Sequence, residues 1–281
     1  MMTSMASPTP SVLTSFANPR IKAAIALRDR RERDRTGLTI VDGARELRRA
    51  LEAGVEVIEA FVCEPLLAGP DARAALDLLG ASATTLQHTN EPVFARIAFG
   101  ERAEGLLAVV RIPSTGLEAI ALPPDPLVLV IEGVEKPGNV GAVLRSADGA
   151  GVDAVIAASP RTDLFNPNAI RASAGTIFTV PLGAAATPEV LAWLRAGGVR
   201  IVAARVDAER LYTDADLTGS VAIALGAEAD GLTDAWTGDG VETVRLPMLG
   251  VADSLNVSVT AGVLAYEARR QRGLRPRPTA R

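Results

Sequence analysis

The sequence predicts an α/β protein in which a parallel-sheet domain at the carboxyl end follows a smaller α/β domain. In the second half of the chain, short apolar runs alternate with helical patterns, as expected of strands joined by crossover helices. Residues 127–133 (LVLVIEG) form a continuous apolar run, which is typical of a strand buried on both faces. Residues 112–126 contain four prolines, a composition that suits a linker better than a packed element. We therefore expect a domain boundary there.

In the second domain, the apolar periodicity predicts six strands and three helices. The last helix also carries three arginines near its carboxyl end, where the helix dipole favours cations. Its apolar stripe consists of Val257, Thr260, Ala261, Leu264 and Ala268. The predicted strands are 127–133, 153–158, 177–182, 200–205, 221–226 and 242–247. The predicted helices are 139–150, 188–197 and 256–272.

The first domain mixes the same two periods over a shorter length. A charged helix is predicted at 20–35, and a second helix at 44–54 is closed by a glycine. Strands are predicted at 38–43, 57–63 and 106–112. The expected organisation is a disordered tail over 1–14, a first domain over 15–112, a linker over 113–126, a second domain over 127–273 and a tail over 274–281.

Composition indicates a cytoplasmic protein of ordinary globular type. Of the 281 residues, 48% are hydrophobic and 22% are charged. No apolar run reaches the roughly 18 residues that a membrane span needs, and the first residues lack the pattern of a secretory signal. The single cysteine, Cys63, cannot form an internal disulfide, and we interpret it as a small buried hydrophobic residue.

The first motif that bears on chemistry is VIEGVEKPGNVGAVLRSADGAGV, residues 130–152, where a buried strand leads through a loop into a helix. We expect Asn139 to cap this helix. Arg145 lies off the apolar stripe, and Gly141 one turn earlier is expected to leave its guanidinium open to an anionic substrate. An arginine that snorkels on a surface helix explains the position equally well. No G-K-[ST] or G-x-G-x-x-G pattern follows, which disfavours phosphate-loop and dinucleotide sites.

The second motif is LGAEADGLTDAW, residues 225–236, at the end of another predicted strand. Gly226 and Gly231 allow a tight turn and a close approach of the backbone to a ligand. Glu228 is placed to orient a substrate, although a solvated turn carboxylate accounts for it equally well.

The third motif is RLPMLGVADSLNVSVTAGVLAYEARRQR, residues 245–272. Its segment GVADSLN holds little that is apolar, yet it lies between a strand and an apolar helix. Ser254 and Asn256 fit helix-cap chemistry, and capping alone is a sufficient explanation for both.

Together these three segments resemble the three motifs of the SpoU/TrmH branch of the SPOUT RNA methyltransferases. The matches are E-x-P-G-N-V-G-A-x-x-R-S-A-D, G-A-E-x-x-G-L and L-P-M-x-G-x-x-x-S-L-N-V-S-V, in the same order and spacing over 127–273. The stretch from Asn18 to Gly54 also resembles, more diffusely, the substrate-binding domain of the members that act on ribosomal RNA, a domain similar to a ribosomal-protein fold. The resemblance implies a parallel sheet with a carboxyl-terminal trefoil knot, a feature that no sequence rule predicts.

The resemblance also implies the cofactor, the reaction and the residues. It implies that S-adenosyl-L-methionine binds in the knot. It also implies a homodimer with the site near its interface. The implied reaction is methylation of a ribose 2′-hydroxyl, and the substrate expected here is 23S ribosomal RNA. The implied cofactor residues are Gly226, Leu246 and Leu255, with neighbours Met248, Ser254 and Asn256. The implied catalytic arginine is Arg145, surrounded by Asn139, Glu228, Ser254 and Asn256.

RNA contact is predicted at the basic start of the chain, although the net charge of the whole protein is −4. Residues 20–49 carry ten Lys/Arg against five Asp/Glu, whereas 127–273 carry twelve against seventeen. Interleaved acidic residues leave a solvated helix face as the alternative interpretation. The predicted phosphate contacts are Arg20, Lys22, Arg28, Arg30, Arg31, Arg33 and Arg35.

For the mechanism, a guanidinium pKa above about 12 disfavours Arg145 as a general base. We expect it to hold an RNA phosphate and to stabilise negative charge on the ribose oxygen, while Glu228 orients polar groups or relays the proton. No metal is expected, and His88 is interpreted as a structural or surface residue. The alternatives are a transfer-RNA ribose methyltransferase, a resistance enzyme acting on ribosomal RNA, a non-catalytic RNA-binding protein and, more distantly, a dinucleotide-dependent oxidoreductase.

Overall fold

The computed structural model describes residues 12–82, 84–99, 104–227 and 230–273, and the chain divides into two compact units, Met1–Ile112 and Pro113–Arg281. The described strands of the first unit are β1 (Val12–Leu13), β2 (Leu38–Asp42), β3 (Val57–Val62), β4 (Thr85–Thr89) and β5 (Leu106–Arg111). Its helices are α1 (Pro19–Ala26), α2 (Arg30–Thr36), α3 (Ala44–Glu52), α4 (Gly69–Gly80) and α5 (Glu91–Ile97).

The first unit is built on a mixed sheet in the order β1-β4-β3-β5-β2. Strands β1, β4 and β3 are parallel to one another, and β5 runs antiparallel to both of its neighbours. Ile21, Phe61 and Phe94 are fully buried in the core between this sheet and its helices.

Three expectations for this unit need correction or completion. The helix predicted at 20–35 is two helices, because Asp29 caps α2 by accepting the Arg31 backbone N–H at 2.9 Å. Val12 and Leu13 fall in the predicted disordered tail, yet they pair with β4; residues 1–11 and 274–281 lie outside the described residues. The elements α4, β4 and α5 were not predicted. Strand β4 (TLQHT) was not predicted because only one of its five residues, Leu86, is apolar.

The second unit contains six strands joined by helices. The strands are β6 (Leu127–Glu132), β7 (Ala154–Ala158), β8 (Leu182–Ala185), β9 (Arg200–Ala204), β10 (Val221–Leu225) and β11 (Val241–Val244). The helices are α6 (Pro137–Ala150), α7 (Pro167–Ala172), α8 (Thr187–Ala196) and α9 (Val257–Arg272).

All six strands are parallel and lie in the order β11-β9-β10-β6-β7-β8, which confirms the predicted parallel sheet. Every residue of β6 is buried, as its continuous apolar run predicts. The chain first builds outward from β6 to β8 and then returns to the other side with β9 and β10. The strand order therefore reverses at the β6–β10 pair, and in open α/β sheets ligands bind at the carboxyl ends beside such a point.

One predicted strand in this unit is wrong, and one helix was not predicted. The strand predicted at 177–182 is a 3₁₀ turn at Thr176–Phe178, and β8 begins only where the prediction ended. A short apolar run does not distinguish a strand from a buried turn, which explains the error. Helix α7 was also missed. The predicted linker contains a 3₁₀ turn, Leu117–Ala119, whose neighbourhood packs against the core of the second unit through Leu117, Ile120 and Leu122.

Two of the three arginines at the end of α9 bind backbone carbonyls of neighbouring elements, whereas Arg270 pairs with Glu267 on the same helix. Arg269 donates to Ala150 at 2.7 Å and to Gly151 at 2.6 Å, at the end of α6. Arg272 donates to the carbonyl oxygens of Asp125, Pro126, Leu217 and Gly219. These bonds fasten α9 to α6 and to the amino ends of two strands. Among the described helices, none is long and apolar enough to cross a membrane.

Candidate active site

A cavity of about 510 Å³ opens at the carboxyl ends of β9, β10 and β11 in the second unit. Ala204, Leu225 and Val244, at the ends of these strands, form its floor. Its walls come from the segments that follow the strands, including parts of the second and third motifs. A site at the carboxyl edge of parallel strands is where an α/β sheet places its ligand.

Five of the predicted cofactor residues line this cavity: Gly226, Leu246, Met248, Ser254 and Leu255. Asn256 does not line it, although it directly follows Leu255. Glu228 lies outside the described residues. The structure thus brings together the second and third motifs, which are separated along the chain by β11.

The turn that follows β10 needs glycine because its backbone folds back on itself. A Cβ on Gly226 would lie 2.0 Å from the Gly231 carbonyl carbon and 2.2 Å from the Leu232 nitrogen. Gly231 has a φ of +67° and donates its N–H to the Ala227 carbonyl at 3.0 Å. This close backbone crossing shapes one wall of the cavity.

The first and third motifs meet through two asparagines. The Asn256 side-chain amide donates to the Asn139 side-chain oxygen at 3.3 Å. Asn256 also caps α9, since its side chain accepts the Ser258 N–H at 2.9 Å. The prediction that Asn139 caps α6 is wrong: the helix begins at Pro137, with Lys136 at the cap position, and Asn139 lies in the first turn, where its side chain contacts Asn256 of the third motif.

Arg145 is exposed on α6 and does not line the cavity. Within the described part of the chain, its guanidinium makes no hydrogen bond or ion pair. The interpretation of Gly141 is wrong, because this residue is buried against α7: a Cβ there would lie 2.4 Å from the Ala169 carbonyl oxygen and 2.6 Å from the Ala172 Cβ. Gly141 therefore allows two helices to approach closely and does not open access to Arg145.

A buried carboxylate beneath the site was not predicted. Glu132, at the end of β6, is 3% exposed. It accepts hydrogen bonds from the Thr233 N–H at 2.8 Å, the Thr233 hydroxyl at 2.9 Å and the Thr187 hydroxyl at 2.7 Å. The sequence does contain a sign of this carboxylate, because Glu132 lies inside the apolar run 127–133. A charged residue in a buried strand requires hydrogen-bond or ionic partners.

The surroundings of Glu132 favour its ionised form. Burial by itself raises the pKa of this carboxyl, but the hydrogen bonds from Thr233 and Thr187 outweigh burial and lower the pKa below its usual value. The Trp236 indole N–H also lowers the pKa of Glu132, although its position does not meet the geometry of a hydrogen bond. The site therefore holds a fixed negative charge under the wall of the cavity.

The segment after β9 supplies an ion pair to the cavity lining. Arg205 donates to both carboxylate oxygens of Asp207, at 3.0 and 3.1 Å, and this pairing lowers the pKa of Asp207. Both residues line the cavity and both were missed by sequence reasoning. Only the strand order, which places β9 beside β10, shows that this segment belongs to the site.

The predicted RNA-binding residues of the first unit have different surroundings. Arg33 is 1% exposed, and its guanidinium donates to the Leu27 and Arg28 carbonyl oxygens at 2.7 and 2.9 Å, so it is not available to a phosphate. Arg28 is likewise bound to the Arg96 and Ala98 carbonyl oxygens. Three more are in exposed ion pairs: Arg20 with Glu59, Arg30 with Asp34 and Arg35 with Glu32.

Two residues of the predicted set, Lys22 and Arg31, are exposed. Neither side chain has a hydrogen-bond or ion-pair partner among the described residues. His88 lies 3.3 Å from Glu64 in the first unit. Cys63 is buried, and burial raises the pKa of its thiol. In the described residues, no group of three His, Cys, Asp or Glu side chains is arranged to hold a metal ion.

The parallel sheet and its cavity define an α/β enzyme that binds a small ligand at the strand ends. Comparison with known proteins is specific: the chain matches the SpoU rRNA Methylase family over residues 126–266 and the MRM3-like substrate binding domain over residues 18–108. The chain belongs to the SpoU rRNA methylase family. It is therefore an S-adenosylmethionine-dependent methyltransferase.

Three relatives illustrate the likeness. A 23S rRNA (uridine(2479)-2′-O)-methyltransferase of Streptomyces viridochromogenes is 35% identical over 62% of this chain and 63% of its own length. A solved RNA 2′-O ribose methyltransferase is 44% identical, with a TM-score of 0.81, over 93% of this chain and 99% of that one. The SpoU methyltransferase AviRb of S. viridochromogenes, solved with AdoMet, is 31% identical, with a TM-score of 0.80, over 90% and 98%.

The cavity fits S-adenosylmethionine in size and charge. Its volume lies within the roughly 300–1,000 Å³ of small-ligand pockets. Leu246 and Leu255 offer apolar surface for a purine ring. The lining carries three carboxylates, Asp207, Asp230 and Asp253; Arg205 pairs with Asp207 and Arg161 with Asp230, which leaves one negative charge in excess. An excess of negative charge suits a ligand that carries a sulfonium and an ammonium group. The trefoil knot that the family resemblance implies stays a prediction.

Proposed function

We propose that the protein transfers a methyl group from S-adenosylmethionine, bound in the cavity beside Gly226 and Leu255, to a ribose 2′-hydroxyl of 23S ribosomal RNA. The observation that carries the proposal is the convergence of the three motifs: the second and third line one cavity, and the first is joined to the third by the Asn139–Asn256 hydrogen bond. The relatives named for ribosomal RNA, and the match to a substrate-binding domain in the first unit, support the choice of RNA.

The bound cofactor supplies the methyl group as an electrophile on a sulfonium sulfur. The residues of this chain position the acceptor oxygen in line with that methyl group, and positioning provides much of the rate. Arg145 holds an RNA phosphate and stabilises negative charge on the 2′-oxygen as its proton leaves. Its exposed guanidinium, without an intramolecular partner in the described residues, supports this role. Asn139, Ser254 and Asn256 orient polar groups around the acceptor, and Glu228 is proposed to relay the proton of the 2′-hydroxyl to solvent.

The protein is further proposed to act as a cytoplasmic homodimer with the site near the interface. Apolar side chains next to the cavity support an interface: Leu249 and Val251 are fully exposed, and Val259 and Tyr266 on α9 are about half exposed. Lys22 and Arg31 in the first unit are the cations best placed to contact phosphate.

The proposal is tested by mapping 2′-O-methyl groups in RNA from cells with and without the protein. We expect a single methyl group to disappear from 23S ribosomal RNA and to return when the wild-type protein is supplied. Titration calorimetry with S-adenosylmethionine is expected to show one site per chain, lost in Gly226→Ala because the added Cβ collides with the Gly231 and Leu232 backbone. Loss of the methyl group from transfer RNA instead would support the alternative enzyme, and the absence of cofactor binding would contradict catalysis.

A further inference from the structure

We propose that Glu132 is a positioning residue for the cofactor cavity: its buried carboxylate holds the loop segment 230–233, which supplies part of the cavity wall, in place. The inference rests on the proposed placement of the cofactor in that cavity. Glu132 does not line the cavity itself and acts through Thr233.

The contacts of Glu132 tie the loop to the carboxyl end of β6. Glu132 and Thr233 are 101 residues apart, and two hydrogen bonds, from the Thr233 N–H and hydroxyl, join them. The residues just before Thr233, Gly231 and Leu232, line the cavity and cross over Gly226 in close backbone contact. Holding Thr233 in place therefore also holds Gly231 and Leu232 where they cross Gly226 at the end of β10.

The strength of this link follows from burial and charge. An ionised acceptor that is shielded from water makes hydrogen bonds about twice as strong as neutral ones. Two further side-chain links reach the loop. Arg161 pairs with Asp230 at 3.0 Å, and both groups are more than half exposed. Arg205 donates to the Leu232 carbonyl oxygen, but at a long 3.5 Å. Exposed ion pairs contribute little. The buried carboxylate is thus the main anchor of the wall.

Thr187 offers a way to separate positioning from stability. Its hydroxyl donates to Glu132 Oε1, the same oxygen that accepts the Thr233 hydroxyl, and it also lies 3.0 Å from the Ser159 hydroxyl. Thr187 starts α8 and is not in the cavity lining. Removing this hydroxyl leaves Glu132 Oε1 with the Thr233 donor, so the loop keeps its anchor.

The experiment compares S-adenosylmethionine affinity and melting temperature in Glu132→Gln and Thr187→Val by titration calorimetry and thermal unfolding. Gln keeps the shape but replaces one accepting oxygen by a donor, so affinity is expected to fall about ten-fold. Thr187→Val is expected to lower the melting temperature about as much as Glu132→Gln does, because both lose a buried hydrogen bond. Its cofactor affinity should stay within about two-fold of the wild type, because the bonds between Glu132 and Thr233 remain.

A double-mutant cycle tests the route of the effect. If Glu132 acts through Thr233, the losses of affinity in Glu132→Gln and Thr233→Val will not add in the double variant. Wild-type affinity in Glu132→Gln, or equal losses in Glu132→Gln and Thr187→Val, would overturn the inference. Gly226→Ala distinguishes a failure of the proposed function from a failure of the positioning role. If Gly226→Ala binds S-adenosylmethionine like the wild type, the cavity is not the cofactor site. If Gly226→Ala loses binding while Glu132→Gln binds normally, only the positioning role is contradicted.

Discussion

Asn256 and Asn139 are hydrogen-bonded through their side chains at 3.3 Å, although 117 residues separate them in the chain. One begins α9, directly after the loop that lines the cavity, and the other lies in the first turn of α6. Arg145 follows Asn139 by six residues on the same rigid helix, about 9 Å along its axis. The bond, together with the packing of α6 against α9, therefore sets the position of Arg145 relative to the cavity wall.

Arg145→Ala is expected to reduce methyl transfer by at least about a hundred-fold, as the loss of a group that stabilises a developing oxyanion does. Cofactor affinity should not change, because Arg145 does not line the cavity. Arg145→Lys should recover only part of the rate, since an ammonium lacks the two-pronged geometry of the guanidinium. The measurements are single-turnover methylation and calorimetry, with Arg195→Ala, an exposed arginine on α8, as the control. Full activity in Arg145→Ala would remove this residue from the mechanism.

Gly141→Ala is expected to destabilise the second unit by about 1–3 kcal/mol, the usual cost of overpacking a tight interface. The new Cβ would lie 2.4 Å from the Ala169 carbonyl oxygen, so α6 and α7 must separate. Gly138→Ala on the same helix is the matched control, since no atom lies within 4 Å of a Cβ there, and helix propensity favours alanine by up to about 1 kcal/mol. Chemical denaturation measures both, and equal stabilities of the two variants would disprove the packing role.

How far the sequence predicts this molecule depends on the range of the interactions involved. The parallel sheet was predictable because the continuous apolar run of β6 reports burial on both faces. The pairing of Gly141 with α7, the crossing of Gly226 and Gly231, and the reach of Glu132 to Thr233 were not, since each joins segments whose proximity depends on tertiary packing. The membership of Arg205 in the cavity lining required the strand order. Local patterns thus predicted most of the strands, several helices and the motif positions, but not the contacts between them.

Lys22 and Arg31 are expected to contribute to RNA binding by charge alone. Replacing either by alanine should weaken binding to ribosomal RNA fragments of different sequence equally and reduce the slope of log affinity against log salt by about one. Arg33→Met should leave that slope unchanged but lower the free energy of unfolding by about 1–3 kcal/mol, because the Leu27 and Arg28 carbonyl oxygens lose their donor. A salt titration of binding separates these outcomes, and an unchanged slope in both surface variants would exclude this face as the phosphate contact.

Glu132 is expected to make stability depend on pH in a direction set by its lowered pKa. Burial alone raises the pKa of this carboxyl, but its hydrogen bonds from Thr233 and Thr187 bring it below the ordinary value of about 4.3. A lowered folded-state pKa contributes stability that is fully present above the unfolded pKa and is lost as pH falls through the folded pKa. The groups that shift the pKa are themselves uncharged, so the effect depends on this one titration. The difference in unfolding free energy between wild type and Glu132→Gln should therefore be constant near neutral pH and shrink below about pH 5. Because the other carboxyl groups titrate in both proteins, they cancel in this difference, and parallel curves down to acid pH would mean that Glu132 is not held in its ionised form.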